Sequence, residues 1–186
     1  MSQNSLAISS GAISRSSDIA REGEQECQYL TFLLRNEMFA IGILNVKEIL
    51  EYGVITNVPM MPAFFKGVIN LRGSVVPVVD LAARFDEKPC NIGRRTCIVI
   101  LEVNTEEGAQ DIGVVVDAVS AVLEIAMEDI EPAPTFGARI RTEFIQAMGK
   151  IDGKFVIILN VDKVLSVDEM TLLSQISAGL PHHQDQ

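Results

Sequence analysis

The feature that most constrains the fold of this chain is an internal repeat. LRGSVVPVVDL at residues 71–81 aligns with IDGKFVIILNV at residues 151–161, a shift of 80 positions. The turn glycines Gly73 and Gly153 coincide, and so do the polar residues Asp80 and Asn160 that end the two apolar runs. Asp-Gly between apolar runs is a strong β-hairpin signal. The repeat therefore predicts two copies of one small, strand-rich unit.

Short apolar runs bounded by turn residues recur along both halves of the chain. YLTFLL and MFAIGIL predict one hairpin, VINL and SVVPVV a second, and CIVILEV and IGVVVDAVSAVL further strands. Many short strands at close spacing favour β-barrels over a sandwich. A barrel of about 65 residues would be only marginally stable alone, so the two barrels should pack together.

The predicted fold is therefore mainly β, with short helices between the strands. In NVKEILEY, Asn45 and Glu48 fit a capping box, which predicts a short helix with Val46, Ile49 and Leu50 on one side. A second short helix should follow Asp80, whose side chain can cap LAARF.

The composition of the chain also predicts where the arm, the two barrels, the C-terminal helix and the tail begin and end. Residues 1–26 include seven serines among the first 17 positions and are predicted to be a disordered arm. The first barrel should span about residues 27–90 and the second about 96–165. SVDEMTLLSQIS should then form a C-terminal helix over residues 166–177, because it combines a capping box with apolar residues at helical spacing. A flexible tail, residues 178–186, ends the chain.

Charge and cysteine content narrow the possible partners and the location. The net charge of −10 argues against nucleic acid and anionic lipid, since both require clustered basic residues. No apolar run approaches the length of a membrane span, and the N-terminus lacks a signal-peptide pattern. Cys27, Cys90 and Cys97 are odd in number and lack CxxC spacing, which is typical of reduced thiols in a cytoplasmic protein.

The sequence contains no pattern typical of a catalytic or metal site. Its only histidines, His182 and His183, stand in the polar tail, and the phosphate-binding motif GxxxxGK[ST] is missing. The carboxylate clusters at 106–107 and 128–131 fall in polar loops. We therefore expect a binding module with no enzymatic activity, metal or cofactor. A hydrolase that uses surface carboxylates is the alternative from another class.

The segment PAFFKGVINLRGSVVPVVDL resembles the signature stretch of the bacterial chemotaxis coupling protein CheW family. The residues that stand where the family pattern has them are Pro62, Phe64, Gly67, Asn70, Arg72, Gly73, Pro77, Val78 and Asp80. IGILNVKEIL, IGVVVDAVSAVLEI, EPAP and KFVIILNVDKVL also resemble the family. The resemblance covers about residues 27–177.

The resemblance implies a non-catalytic adaptor made of two SH3-like five-stranded β-barrels. Such an adaptor couples the cytoplasmic hairpin tips of chemoreceptors, the methyl-accepting chemotaxis proteins, to the regulatory domain of the histidine kinase CheA. It would be cytoplasmic and recruited to membrane-associated receptor arrays. The isolated protein is expected to be a monomer, because its charge is high and it has no coiled-coil seam. An adaptor of a paralogous chemosensory pathway, such as one governing surface motility, is the alternative.

The resemblance also implies which residues contact the receptor. Arg72 matches a family arginine implicated in receptor binding, Glu48 matches a glutamate similarly implicated, and Val46, Ile49 and Gly113 fall near the receptor groove. Each of these residues could instead have a purely structural role. Arg72 could be a charge at an exposed hairpin tip, and Glu48 could be a helix cap. The apolar side chains could pack in the core, and Gly113 could serve the backbone geometry. The resemblance assigns no kinase-binding residue.

Overall fold

The computed structural model describes residues 27–86, 88–135 and 140–164. Three of the predicted segments lie outside the described residues: the arm at 1–26, the helix at 166–177 and the tail at 178–186. Within the described ranges the chain is mainly β with few, short helices, which confirms that part of the predicted fold.

The strands are β1 (Cys27–Leu34), β2 (Glu37–Gly42), β3 (Val46–Glu51), β4 (Phe65–Leu71), β5 (Ser74–Asp80), β6 (Cys97–Thr105), β7 (Gly108–Val116), β8 (Ala118–Ile125), β9 (Ile130–Glu131), β10 (Ile145–Ile151) and β11 (Lys154–Leu159). The helices are α1 (Leu81–Asp86) and α2 (Val161–Val164), and short 3₁₀ turns lie at Ile43–Asn45, Met127–Asp129 and Thr142–Phe144.

The strands form two mixed sheets, each drawn from both halves of the chain. One has the order β8-β1-β2-β11-β10-β9 and the other β3-β6-β7-β5-β4. Neighbouring strands are antiparallel except at the pairs β11–β2 and β5–β7. The predicted boundary between residues 90 and 96 therefore does not separate the sheets. Hairpin β1–β2 of the first half lies between β8 and β11 of the second half. Hairpin β6–β7 of the second half lies between β3 and β5 of the first half. Each hairpin thus forms the buried middle of a sheet whose outer strands come from the other half.

The five-stranded sheet curls so that its two edges approach each other. Thr56, in the segment after β3, exchanges two backbone hydrogen bonds of 2.9 Å with Val68 of β4. Strands β3 and β4 are the opposite edges of this sheet. Among the described residues, however, the strand ladders do not close either sheet into a complete barrel.

The helix predicted over NVKEILEY is wrong, since Val46–Glu51 is strand β3. Burial alternates along it: Val46 and Leu50 are half-buried and pack against the core, while Ile49 is exposed. Val46 and Ile49 thus lie on opposite faces instead of sharing one. Pairing with β6, from Val46 opposite Leu101 to Glu51 opposite Cys97, overrides the local capping pattern.

The cap predicted for LAARF is confirmed. Asp80 is fully buried, and its Oδ1 accepts a hydrogen bond of 3.1 Å from the backbone N–H of Ala83 in α1. Its Oδ2 accepts a second, of 2.8 Å, from the N–H of Cys90, and the ammonium of Lys66 lies 4.0 Å away. A buried carboxylate needs such partners, so Asp80 fixes both α1 and the segment that follows it.

Candidate partner-binding site

Arg72 occupies the turn between β4 and β5. Arg72 and Gly73 have φ of 52° and 87°, as a type I′ turn requires at its two central residues. The N–H of Gly73 donates a 2.9 Å hydrogen bond to Oδ1 of Asn70, which closes the turn. The turn thereby holds the backbone of Arg72 in place while its side chain stays 76% exposed.

The structure brings Arg72 and Glu48 together. Nη2 of Arg72 lies 2.8 Å from Oε1 of Glu48, whose side chain is 28% exposed. Glu48 is on one edge strand of the five-stranded sheet and Arg72 directly follows the other, so the ion pair spans the seam where these edges meet. An exposed pair of this kind contributes about 0–1 kcal/mol to stability. Its main effect is to orient the guanidinium, whose other donors remain available to a partner.

The remaining three predicted residues do not share one surface. Ile49 is 43% exposed on the outer face of β3, whereas Val46 packs against the core. Gly113 is buried in β7, paired with Ile100 of β6 and Val78 of β5. A Cβ at Gly113 would lie 2.9 Å from Cγ2 of Ile98. Gly113 is therefore buried and Val46 half-buried, and Ile49 is the exposed apolar side chain of this set.

Lys47 is a charged neighbour of the site that the sequence analysis did not single out. Its ammonium lies 3.0 Å from Oδ1 of Asp111 and 3.4 Å from Oε2 of Glu102. The hydrogen bond to Asp111 is the main cause that raises the pKa of Lys47. A β-bulge between Val46 and Glu48 accompanies this placement, and nothing in the local sequence signals it.

Two grooves lie beside the two parallel strand pairs, β5–β7 and β11–β2, in which only a few residues are paired. One, of about 350 Å³, lies next to the Arg72 turn, where β5 and β7 pair only from Val78 to Asp80. Its lining residues are Lys47, Ser74, Val75, Val76, Pro77, Glu102, Ala109, Gln110 and Asp111. The other, of about 840 Å³, lies between the tips of hairpins β1–β2 and β10–β11, with Met38, Met148 and Phe155 among its lining residues.

Cys90 is a buried thiol outside the site. Its Sγ lies 2.5 Å from Oδ1 of Asp117. Burial, followed by the hydrogen bond to Asp117, raises the pKa of Cys90 from 9.0 to about 12. The thiol is therefore protonated at neutral pH.

The described residues contain no group of three or more His, Cys, Asp or Glu side chains that could hold a metal ion. No helix in that part of the chain is long and apolar enough to cross a membrane.

The two sheets define a β-sheet module that carries an exposed ion pair beside a groove. The family model for the CheW-like domain matches residues 28–169. The chain therefore belongs to the CheW family, as its sequence resemblance predicted.

Curated relatives and a solved structure agree with this assignment. The chain is 36% identical over 150 residues to "Chemotaxis protein CheW" of Klebsiella aerogenes, covering 81% of this chain and 88% of that protein. It is 30% identical over 150 residues to "Protein FrzA" of Myxococcus xanthus, covering 79% and 90%. The crystal structure of scaffolding protein TtCheW from Thermoanaerobacter tengcongensis matches with a TM-score of 0.70 at 32% identity, covering 78% of this chain and 91% of that one.

Proposed function

We propose that this protein is a non-catalytic adaptor of chemotaxis signalling that couples chemoreceptor tips to the histidine kinase CheA. The extent of the family match carries the proposal, because the CheW-like domain spans residues 28–169 and includes nearly all the described residues. The names of its relatives support it: one is a chemotaxis protein and the solved neighbour is a scaffolding protein.

Arg72 and Glu48 are the centre of the proposed receptor-binding surface. A receptor tip is a helical hairpin, and a helix that docks in a groove needs apolar contacts and a few polar ones that fix its register. Ile49 supplies an exposed apolar side chain on the same strand as Glu48. The planar guanidinium of Arg72 can bind a helix carboxylate or carbonyl with the donors that Glu48 does not use. Val46 and Gly113 act indirectly, through packing within the five-stranded sheet that carries Glu48.

The same proposal covers the architecture and the location. Each sheet corresponds to one SH3-like barrel that its strand ladders leave partly open, and the approach of the two edges of the five-stranded sheet supports this. The isolated protein is a cytoplasmic monomer, and its two partners recruit it to receptor arrays at the membrane.

The test is titration by calorimetry with the regulatory domain of CheA and, separately, with a receptor-tip fragment from the same genome. The proposal requires binding to both. Binding to neither contradicts it, while binding only to the partners of a paralogous pathway supports the alternative adaptor role.

Replacing Arg72 should separate the two partners. Arg72→Ala is expected to weaken receptor binding by about 1–3 kcal/mol, since a charged hydrogen-bond donor is lost. Binding to the kinase domain should not change, and the unfolding free energy should fall by no more than about 1 kcal/mol, because the ion pair is exposed.

Arg141→Ala is the matched control for this titration. Arg141 is also an exposed arginine paired with a glutamate, at 3.2 Å from Glu143, but it lies beyond the five-stranded sheet. Equal loss of receptor affinity in both variants would show a general charge effect. A large drop in melting temperature for Arg72→Ala alone would show a structural role.

A further inference from the structure

Arg84 lies where the two repeats of the chain meet. Phe64 and Phe144 occupy equivalent places in these repeats. The carbonyl oxygen of Phe64 accepts a 2.7 Å hydrogen bond from the N–H of Asp80, and that of Phe144 accepts a 2.8 Å bond from the N–H of Asn160. Phe144 stands 80 positions after Phe64, and Asn160 stands 80 positions after Asp80. This distance is the shift of the sequence repeat.

The guanidinium of Arg84 lies over both of these rings. Its central carbon lies 5.1 Å from the centroid of the Phe64 ring and 4.9 Å from that of the Phe144 ring. Phe64 directly precedes β4 of the five-stranded sheet, whereas Phe144 directly precedes β10 of the six-stranded sheet. One side chain therefore bridges corresponding points of the two sheets.

A hydrogen bond extends this bridge to α2. Nε of Arg84 donates to the carbonyl oxygen of Val164 at 3.0 Å. Val164 stands 80 positions after Arg84 and is thus its counterpart in the second repeat. The counterpart of the arginine is thus a valine that contributes its backbone carbonyl to the bridge.

The contacts of Arg84 are directional, whereas most of the contact between the sheets is apolar packing. The sheets share one large apolar core, and apolar burial depends on area and not on orientation. A cation over two aromatic rings, with a charge-assisted hydrogen bond to a carbonyl oxygen, depends on the angles between its partners. The contacts of Arg84 can therefore fix how the sheets are rotated relative to each other. The ring contacts Phe39–Phe85 and Phe85–Phe144 cross the same interface and are directional as well.

We propose that Arg84 is a positioning residue that sets the angle between the two sheets. Under the proposed adaptor function, on which this second step rests, the same contact sets the geometry in which the protein holds its two partners. Arg84 itself need not touch either partner.

Residual dipolar couplings of strand amides in the full-length protein test the first step without any partner. In the wild type one alignment tensor should fit both sheets. In Arg84→Met, which keeps the length and apolar contact of the side chain, the sheets should require tensors of different orientation. Arg84→Lys keeps the charge but loses the Nε donor, so it should show a smaller change in the same direction.

Arg141→Met is the matched control. Arg141 also lies over the Phe144 ring, at 5.8 Å, but its ion pair is with Glu143 of the same repeat. In Arg141→Met, one alignment tensor should still fit both sheets. An unchanged sheet orientation in Arg84→Met, even with a lower melting temperature, overturns the proposal. If Arg84→Met does not fold, an unchanged orientation in Arg84→Lys overturns it equally.

Calorimetry tests the second step. Arg84→Met should bind the receptor-tip fragment and the kinase regulatory domain singly with affinities within about twofold of the wild type. With one partner already bound, Arg84→Met should bind the other partner about fivefold or more weakly than the wild type does under the same conditions. This is the size of a typical coupling between sites. Equal affinities in the joint titration overturn this step. Failure of the wild type to bind either partner contradicts the proposed function and leaves the dipolar-coupling result standing.

Discussion

At the scale of single residues, the turn that carries Arg72 shows how a side chain can be exposed and still oriented. Positive φ at Arg72 and Gly73 fixes the hairpin tip, Asn70 closes it, and Glu48 holds one nitrogen of the guanidinium. Each of these contacts is weak alone. Together they reduce the conformational freedom that binding to a partner would otherwise remove.

Two glycines of the signature stretch should differ strongly in their tolerance of a side chain. Gly73→Ala is expected to cost about 1 kcal/mol, the strain of a left-handed backbone, because no atom lies within 4 Å of the added Cβ. Gly67→Ala should cost about 3 kcal/mol or more, since its Cβ would lie 2.1 Å from the carbonyl oxygen of Thr56. Urea unfolding measures both, and equal costs would contradict the close approach of these backbones.

The buried thiol of Cys90 should be unreactive and should make the fold sensitive to alkali. Its folded pKa of about 12 lies above the ordinary 9.0, so the folded state retains a proton that the unfolded state loses. Stability is therefore complete below about pH 9 and falls as the pH rises toward 12. Dithionitrobenzoate at pH 8 should modify exposed Cys27 much faster than Cys90. Equal rates would show that the site opens readily.

At the scale of elements, β3 shows the limit of a local pattern. Asn45 and Glu48 have the spacing of a capping box, yet the segment is an edge strand paired with β6. Helix propensities differ by less than about 1 kcal/mol per residue, so a row of strand hydrogen bonds and a core contact outweigh them. The same segment places Glu48 within reach of Arg72, which a helix would not have guaranteed.

Substitutions along β3 should follow strand alternation. Leu50→Ala should cost about 2 kcal/mol, because Leu50 is half-buried against the core. Ile49→Ala should cost about 0.5 kcal/mol, since Ile49 is 43% exposed. Chemical denaturation of the two variants checks this order. Similar losses would favour the helical arrangement, in which both side chains lie on one side.

At the scale of the whole molecule, the two halves exchange hairpins. Hairpin β1–β2 lies between β8 and β11 in one sheet, and β6–β7 lies between β3 and β5 in the other. The repeat therefore does not correspond to two separable units. The Arg84 bridge and the shared apolar core are further contacts between the halves.

Fragments cut in the exposed segment before β6 should not fold alone. Residues 1–93 and 94–186 should each lack a dispersed amide spectrum, because each would miss the two middle strands of its own sheet. Mixed at equal concentration, they should recover the spectrum of the intact protein. A folded single fragment would contradict the exchanged topology.

The sequence by itself determined the features that depend on neighbouring residues. The hairpin turns at Arg72–Gly73 and Asp152–Gly153, the cap from Asp80 and the signature stretch of the family could all be recognised from short segments. Such features are encoded locally, because a turn or a cap involves residues within a few positions of one another.

Only the tertiary structure decided which distant segments meet. It paired β3 with β6, exchanged the hairpins between the halves, joined Glu48 to Arg72 and placed Arg84 over the rings of Phe64 and Phe144. An apolar strand can pair with several other strands with similar local free energy. The residues of the strand therefore do not identify the strand with which it pairs. The choice is made by the burial of the strands against a core that both sheets share and a second, smaller cluster, which is a property of the whole chain.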